Sequence, residues 1–357
     1  MKIIFVVQTY YPRVGGAEYV VKSIAERLVR MGHRVTVIAG EPDIERPREE
    51  CLNGVNVIRW PTYAPNAAYH LPRYRSSFEK KLNKLLKDTD IFHLHNIHAL
   101  ITYFAWKSWR NKQFAKLVVT PYYHGTGHTM FRRVLWIAWR SKVAEILRSA
   151  DVVHTVSRNE AKYIREDFKI DPIIIENGVE EFLLTLRWEP SNYIMYSGRI
   201  EKYKNIDRLF HIAKIIKEEY EIALDLVVIG EGPYRHKLIT MLRNYPVKWV
   251  WKPFQPFEKY VDMLSKARFF ALLSEKESYP QSVNEANAIG TPVVIAKPWG
   301  TNFSNRGRTL IVDLSTDNHD LTRRIIKFLE DVQNQPRSDV PMWNDVTRLY
   351  LSKLYSS

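Results

Sequence analysis

The sequence predicts an α/β protein built from two Rossmann-like domains with parallel sheets, and three observations carry that expectation. The first forty residues read strand, loop, helix, strand. The stretch around residues 269–296 repeats that order through a turn rich in polar side chains. The length, 357 residues, provides for two domains of ordinary size.

Ile3 to Val7 is an apolar run short enough for one buried strand, followed by a loop from Thr9 to Gly16. From Ala17 to Met31, apolar Val20, Val21, Ile24, Ala25, Leu28 and Val29 recur at helical spacing, Gly32 ends the helix, and Val35–Ala39 is the next strand. A strand–helix–strand unit of this kind makes a right-handed parallel crossover. Gly15 and Gly16 stand at the helix start, where bare backbone amides suit a phosphate, although a plain tight turn would use the same residues. The dinucleotide fingerprint G-x-G-x-x-G is absent there, which argues against a nicotinamide enzyme.

Residues 41–89 are less regular and punctuated by prolines, and 71–88 is strongly basic, as expected of a solvated helix face or a contact surface. The run Asp90–His98 places His93 and His95 on one strand face, and no cysteine or second cluster at ligand spacing accompanies these histidines to support a metal site. Asp88-Thr89-Asp90 precedes that strand and reads as turn chemistry. Lys116–Thr120 is a further strand, with His124 and Gly125 just beyond its end. His124 there is either a ligand contact or an ordinary loop histidine. Met130–Arg148 is a basic amphipathic helix, expected to pack on the core.

The second half opens on the strand Tyr193–Tyr196, which runs into Ser197-Gly198-Arg199 and then Lys204-Asn205. Two cations after a strand and before a helix can straddle a diphosphate, Arg199 as a fork and Lys204 as a point charge. Leu224–Ile229 is a strand ending in Gly230-Glu231-Gly232, and Trp249–Trp251 is another. The strand Phe269–Leu273 leads to Glu277, then to Tyr279-Pro280-Gln281 and a helix carrying Glu285. Glu277 and Glu285 stand eight residues apart, one on the loop and one about a turn inside the helix. Carboxylates beside the amide-rich start of a helix, outside the carboxyl ends of strands, suit a ligand rich in hydroxyls. Trp343–Tyr355 reads as a closing helix.

Composition sets outer bounds. No stretch approaches the ~20 apolar residues of a membrane span. The opening apolar run is too short for a signal peptide, and Cys51, the single cysteine, fits a reducing compartment. These features lead us to expect a cytoplasmic protein. Net charge is +14, with +9 in residues 1–185. Such a balance fits phosphorylated ligands, an anionic membrane surface or nucleic acid without choosing among them.

The motifs taken together resemble the retaining GT-B glycosyltransferases of family 4. The resemblance rests on Gly15-Gly16-Ala17-Glu18, His124-Gly125, Asn177-Gly178-Val179, Gly198-Arg199 with Lys204, Gly230-Glu231-Gly232-Pro233, and Glu277 with Glu285 followed by Ala286, Gly290, Pro292, Val293 and Val294. It departs at Glu176, where proline is usual, and at Asn205, where glycine is usual. The resemblance implies a GT-B fold whose two domains face a central cleft. Their boundaries are expected near 1–185 and 190–340, with a linker around 180–191 and a final segment, 341–357, that crosses back to the first domain. The amino-terminal domain would serve the acceptor and the carboxy-terminal one the nucleotide sugar.

The implied activity is retaining transfer of a hexose from a UDP- or GDP-linked donor to an acceptor hydroxyl, without a metal or other cofactor. Catalysis would fall to His124, Glu277, Arg199 and Lys204. Donor binding would fall to Gly15, Gly16, Gly230, Glu231, Tyr279, Pro280, Gln281 and Glu285. The basic segments 70–88 and 130–148 suggest a lipid-linked acceptor and a peripheral site on the inner face of a membrane. Two rivals remain, a nucleic-acid-binding protein and a GT-B nucleotide-sugar epimerase. The first lacks an RNA-binding aromatic signature or zinc pattern, and the second would convert donor with no acceptor present.

Overall fold

The computed structural model describes residues 1–13, 15–65, 69–111, 115–123, 125 and 130–356, giving only the backbone at 130–135, 137 and 138. The chain divides into two compact units, Met1–Asn177 together with the segment from Trp343, and Gly178–Met342.

In the first unit, β1 (Lys2–Val7), α1 (Gly16–Arg30) and β2 (Arg34–Glu41) form the expected crossover. They are followed by β3 (Arg48–Leu52), β4 (Val55–Tyr63), β5 (Leu71–Pro72), α2 (Arg75–Leu86), β6 (Ile91–His95), α3 (Leu100–Arg110), β7 (Lys116–Thr120), α4 (Met130–Ser149), β8 (Val152–Thr155), α5 (Arg158–Phe168) and β9 (Ile173–Ile174). The sheet runs β3-β4-β2-β1-β6-β7-β8-β9. Its strand order reverses between β1 and β6, the kind of switch point where open α/β sheets bind ligands. Strand alternation explains the two-sided core. Ile4 and Val6 point to the layer of α2, α3 and α4, whereas Ile3, Phe5 and Val7 point to α1.

The irregular stretch 41–89 proves to hold a hairpin. β3 pairs antiparallel with β4 around Asn53-Gly54, both in the left-handed region (φ 50° and 82°), as a type I′ turn requires. That dipeptide is the signal the proline-rich surroundings obscured. Lys2 accounts for the D-x-D, with its amide donating to Asp90 at 2.7 Å and its ammonium pairing with Asp88.

The chain returns to this unit at its end. α11 (Trp343–Leu349) continues as a π-helical stretch, Tyr350–Tyr355, and buries Trp343, Val346, Tyr350 and Leu354 among the α1-side core. Polar contacts lock it there. Arg27 Nε donates to Asn344 Oδ1 at 3.0 Å, and the Tyr355 hydroxyl lies 2.8 Å from His93 Nδ1. His93 continues through Thr120 to His154, so this histidine lies in a buried hydrogen-bonded chain.

The second unit contains β10 (Tyr193–Ser197), α6 (Ile206–Tyr220), β11 (Asp225–Ile229), α7 (Arg235–Leu242), β12 (Trp249–Lys252), α8 (Phe257–Ser265), β13 (Phe269–Leu272), α9 (Gln281–Ile289), β14 (Val293–Ala296), β15 (Thr309–Val312) and α10 (Asn318–Asp331). Its sheet, β12-β11-β10-β13-β14-β15, is parallel at every pairing and reverses order between β10 and β13. Residues 180–191, expected as a linker, are bound into this unit. Glu181–Thr185 is a 3-10 helix with Leu183 buried, and Arg337 donates to the Leu184 carbonyl at 3.0 Å.

Candidate functional site

The switch point of the second sheet gathers most of the predicted residues. The loop after β10 leaves Ser197, passes Gly198 and Arg199, and closes in a short 3-10 turn, Lys202–Lys204. Asn205 then adopts φ 50° and donates from its side chain to the Leu273 carbonyl at 3.0 Å. Asparagine tolerates the left-handed region better than most residues, so this backbone does not require a glycine here. Across the switch, the amide of Glu275 donates to the Tyr203 carbonyl at 3.0 Å, which ties the loop after β13 to the loop after β10.

Lys204 and Glu277 meet on these two loops as an ion pair. Lys204 is only 8% exposed, and its ammonium also lies 5.0 Å from the centre of the Tyr203 ring. Burial, the largest single influence, depresses the pKa of Lys204, but the Glu277 charge, the Tyr203 hydroxyl and the hydrogen bonds to both together outweigh it and the net shift is upward. Lys204 is therefore cationic at neutral pH. Arg199 differs. Its side chain is 67% exposed and its Nε lies 3.2 Å from Glu201, which leaves most of the guanidinium in solvent.

The loop after β11 supplies the floor. Gly230 has φ 133°, and a Cβ there would land on the Gly198 carbonyl oxygen. A Cβ at Gly232 would likewise land on the backbone of Ile200. These glycines let two loops touch main chain to main chain, joined by Ile200 N to Glu231 O at 2.9 Å and Tyr234 N to Ile200 O at 3.1 Å. The Glu231 carboxylate pairs with Arg235 at 3.1 Å, and that guanidinium stacks 4.3 Å from the Trp251 ring centre.

α9 begins directly beyond the Tyr279-Pro280 turn. Pro280 has no N–H, so the amides on offer here come from Tyr279, Gln281 and the residues after them. Tyr279 packs its ring 4.9 Å from Phe303 and is buried, a position that shapes the turn. Gln281 Nε2 donates to the Gly178 carbonyl at 2.6 Å. Glu285 lies inside α9 and is 5% exposed, with Oε2 accepting from the Tyr260 hydroxyl at 2.9 Å. Burial pushes its pKa up to about 8, against a smaller lowering by Tyr260.

In the first unit, the loop after β1 reaches α1 at Gly15. Glu18 folds back beside it, accepting from Thr9 Oγ1 at 2.5 Å. Gly16 begins α1 and is exposed, and a Cβ there would meet none of the described residues within 4 Å. His124 lies outside the described residues. The chain just before it is held by Glu160, whose Oε1 accepts from Tyr123 N at 2.7 Å and whose Oε2 accepts from Val156 N at 3.1 Å.

Comparison with known proteins now bears on these motifs. The family profile Glycosyltransferase Family 4 matches residues 14–181, and Glycosyl transferases group 1 matches residues 185–339. The chain is a GT-B glycosyltransferase of the family 4 type. An uncharacterized glycosyltransferase of Methanocaldococcus jannaschii is 28% identical, over 84% of this chain and 81% of its own. A GDP-mannose-dependent alpha-mannosyltransferase of Mycobacterium tuberculosis is 24% identical, over 84% and 80%. Among solved structures, Anabaena HepE in complex with UDP and glucose superposes with a TM-score of 0.74 at 15% identity over 100% of both chains. Sucrose-phosphate synthase from Thermosynechococcus elongatus gives 0.73 at 19%, over 99% and 98%. At those identities the likeness to the solved structures is one of fold.

Sequence reading missed two residues of this glycosyltransferase that the structure makes prominent. Glu160 was signalled by Ser157-x-x-Glu160, a capping box in which Ser157 Oγ accepts from Glu160 N at 3.1 Å. Tyr260 had no signal, because it comes from α8, remote in sequence from α9. The Tyr260–Glu285 contact carries a pH prediction. Glu285 ionises near the ordinary 4.5 when unfolded and at about 8 when folded. The native state thus binds the extra proton, and this contribution to stability is full below about 4.5 and is lost as pH rises to about 8. Glu285→Gln is expected to melt increasingly above the wild type as pH is raised from 5 to 8. A constant offset in melting temperature across that range would contradict the assignment.

Proposed function

We propose that this glycosyltransferase moves a hexose from a UDP- or GDP-linked donor to the hydroxyl of a lipid-linked acceptor and retains the anomeric configuration. The observation that carries the donor reading is the buried Lys204–Glu277 pair at the β10/β13 switch point, beside the exposed Arg199. A cation held by a carboxylate, next to a second cation in solvent, suits a ligand that is a diphosphate at one end and a polyol at the other. The names of similar proteins support the donor class: one relative is GDP-mannose-dependent, and one structural neighbour was solved with UDP and glucose.

In this reading the bond between the anomeric carbon and the diphosphate oxygen breaks, and charge accumulates on that oxygen. Lys204 and Arg199 face the developing charge, and preorganised groups of this kind supply the largest catalytic term. Glu277 contacts the sugar hydroxyls while keeping the Lys204 ammonium in place. The acceptor oxygen bonds to the anomeric carbon on the face the diphosphate leaves, and the departing phosphate oxygen takes the acceptor's proton. Glu285 accepts from the ribose hydroxyls. The backbone after β11, at Gly230 and Glu231, and the turn Tyr279-Pro280-Gln281 shape the donor pocket. In the first unit, Gly15 and Gly16 offer backbone to phosphate and His124 contacts the donor sugar. The cations neutralise the leaving group in this scheme, so no divalent ion takes part.

The test is the product. Incubation with UDP- and GDP-hexoses and a polyprenyl-phosphate sugar acceptor, in the presence of EDTA, is expected to release nucleoside diphosphate and give a product with the donor's anomeric configuration by NMR. An inverted anomer would exclude the retaining mechanism, and turnover restored only by a divalent ion would exclude the metal-free one. Conversion of donor without acceptor would favour an epimerase.

A further inference from the structure

One face of the first sheet breaks its apolar pattern. Toward α1, β2 sets Val35, Val37 and Ala39 and β4 sets Val55 and Val57, all buried in one core. Alternation brings Glu41 from β2 and Arg59 from β4 to that same face. Arg59 is 2% exposed, a burial that charged side chains reach almost only when paired. Val7, Ala39 and Arg59 share one rung of the sheet, and Val7 is the last residue of β1. The arginine therefore stands level with the start of the loop that leads from β1 to Gly15 and Gly16.

Its guanidinium is divided among three segments. Nη2 donates to the Tyr11 carbonyl at 2.5 Å, Nε pairs with Glu50 from β3, and Nη1 lies 3.5 Å from Glu41. Glu41 grips the same loop a second time, accepting from Arg13 Nε at 3.1 Å and from Arg13 Nη2 at 2.7 Å. One loop carbonyl and one loop side chain, two residues apart, are thus tied to β4 and β2. Neither carboxylate depends on Arg59 alone, because Glu41 also has Arg13 and Glu50 also has Arg48, at 3.4 Å. Among the described residues, only Arg59 donates to the Tyr11 carbonyl. A buried ion pair is weak support for stability, since apolar side chains of similar volume often do as well. What the arginine adds is a fixed loop.

We infer that Arg59 is a positioning residue for the transfer step: through the Tyr11 carbonyl, and with Glu41 acting on Arg13, it holds the loop after β1 so that the backbone at Gly15 and Gly16 is in place for the donor's phosphate. The inference rests on the reading of those glycines given above and adds what fixes them. Glycine leaves a backbone free to move, and backbone donors stabilise developing charge best when they need no rearrangement. The far end of the loop has its own tie, the Thr9–Glu18 hydrogen bond at 2.5 Å, so the Arg59 cluster secures the stretch that this bond does not reach. Arg59 touches no substrate in this scheme. It acts through main chain.

The experiment compares the full chain with Arg59→Met and with Arg13→Ala. Hydrogen exchange followed by mass spectrometry, over the peptide covering residues 8–18, reports the loop. Release of nucleoside diphosphate from UDP- and GDP-hexoses, with and without the polyprenyl-phosphate sugar acceptor, reports the chemistry. Arg59→Met is expected to exchange faster in that peptide and to lose roughly tenfold or more in kcat, as a small misplacement of a catalytic contact does. Its affinity for the nucleoside diphosphate, set by Lys204 in the other unit, is expected to stay near that of the wild type. Arg13→Ala is expected to show the same signature more weakly. Its side chain is 35% exposed, so that variant decides the matter should Arg59→Met fail to fold. Wild-type exchange in the peptide overturns the inference and leaves the reading of the glycines untouched. So does a lowered melting temperature with unchanged exchange and kcat, which assigns the cluster to the fold alone. Faster exchange with wild-type kcat shows that the loop is clamped but does no phosphate binding. That result removes Gly15 and Gly16 from the donor site, and the positioning role falls with them.

Discussion

Lys204→Met is expected to lower kcat by roughly 10²–10³-fold, with a smaller change in KM for the donor. The reason is that the ammonium acts on charge that appears only as the leaving group departs. The same substitution acts on stability by another route. Glu277, whose side chain is 15% exposed, would lose its cation, and breaking one half of a buried ion pair costs about 3–5 kcal/mol. Glu277→Gln is expected to be destabilising in the mirror sense, because it strands the ammonium. The double variant Lys204→Met with Glu277→Gln separates the two effects. It buries no unpaired charge, so it should regain most of the lost stability while regaining none of the activity. Urea unfolding alongside turnover at saturating donor provides the check. Wild-type turnover in the double variant would remove the pair from the chemistry, and wild-type stability in both single variants would mean that the ion pair contributes nothing to the fold.

Gly230→Ala is expected to cost roughly 2–6 kcal/mol and to abolish donor binding in whatever fraction stays folded. Two penalties combine. The position has φ 133°, which side-chain-bearing residues rarely adopt, and the new Cβ would lie 2.0 Å from the Gly198 carbonyl oxygen and 3.0 Å from its carbon. The obstacle is main chain on both sides, so no rotamer change relieves it. The loop carrying Arg199 would have to move off the loop after β11, which breaks the Ile200–Glu231 hydrogen bond and misplaces the guanidinium. Gly125→Ala is the control. It also has positive φ (86°), but among the described residues a Cβ there would meet only the Tyr163 ring, at 4.0 Å, so it carries strain without a comparable collision. Calorimetric melting of the two variants compares them, and equal losses would show that backbone strain alone accounts for the effect at Gly230.

The sequence was most legible where spacing and backbone geometry coincide. Apolar runs marked β1, β10, β11 and β13, because a parallel strand buried on both faces is almost wholly apolar, and a glycine directly after β10 and β11 marked their sharp ends. Glu277 and Glu285 were visible as a pair, but their environments were not. One is held by a lysine and the other is buried under a tyrosine, differences made by residues 73 and 25 positions away. Tyr260 could not be read, since nothing local marks a helix residue that reaches another helix. The β3–β4 hairpin could have been read, since Asn53-Gly54 is a strong turn signal. The division at Asn177/Gly178 was obscured because 180–191 resembles a polar connection, while the buried Leu183, the edge contact of Phe182 with Phe257 and the Arg337 hydrogen bond to the Leu184 carbonyl bind it into the second unit. The basic stretches at 71–88 and 130–148 were legible as charge, and only the fold puts them in one layer.

The most direct measurement is calorimetric titration of UDP and of GDP, without divalent ions, into the wild type and into Lys204→Met. The account predicts that one of the two binds the wild type at a single site. It predicts a loss of roughly tenfold or more in the variant, the value of one charge-assisted contact to phosphate. Binding of neither nucleotide, or equal affinity in both proteins, would contradict the assignment of the β10/β13 switch point as the donor site.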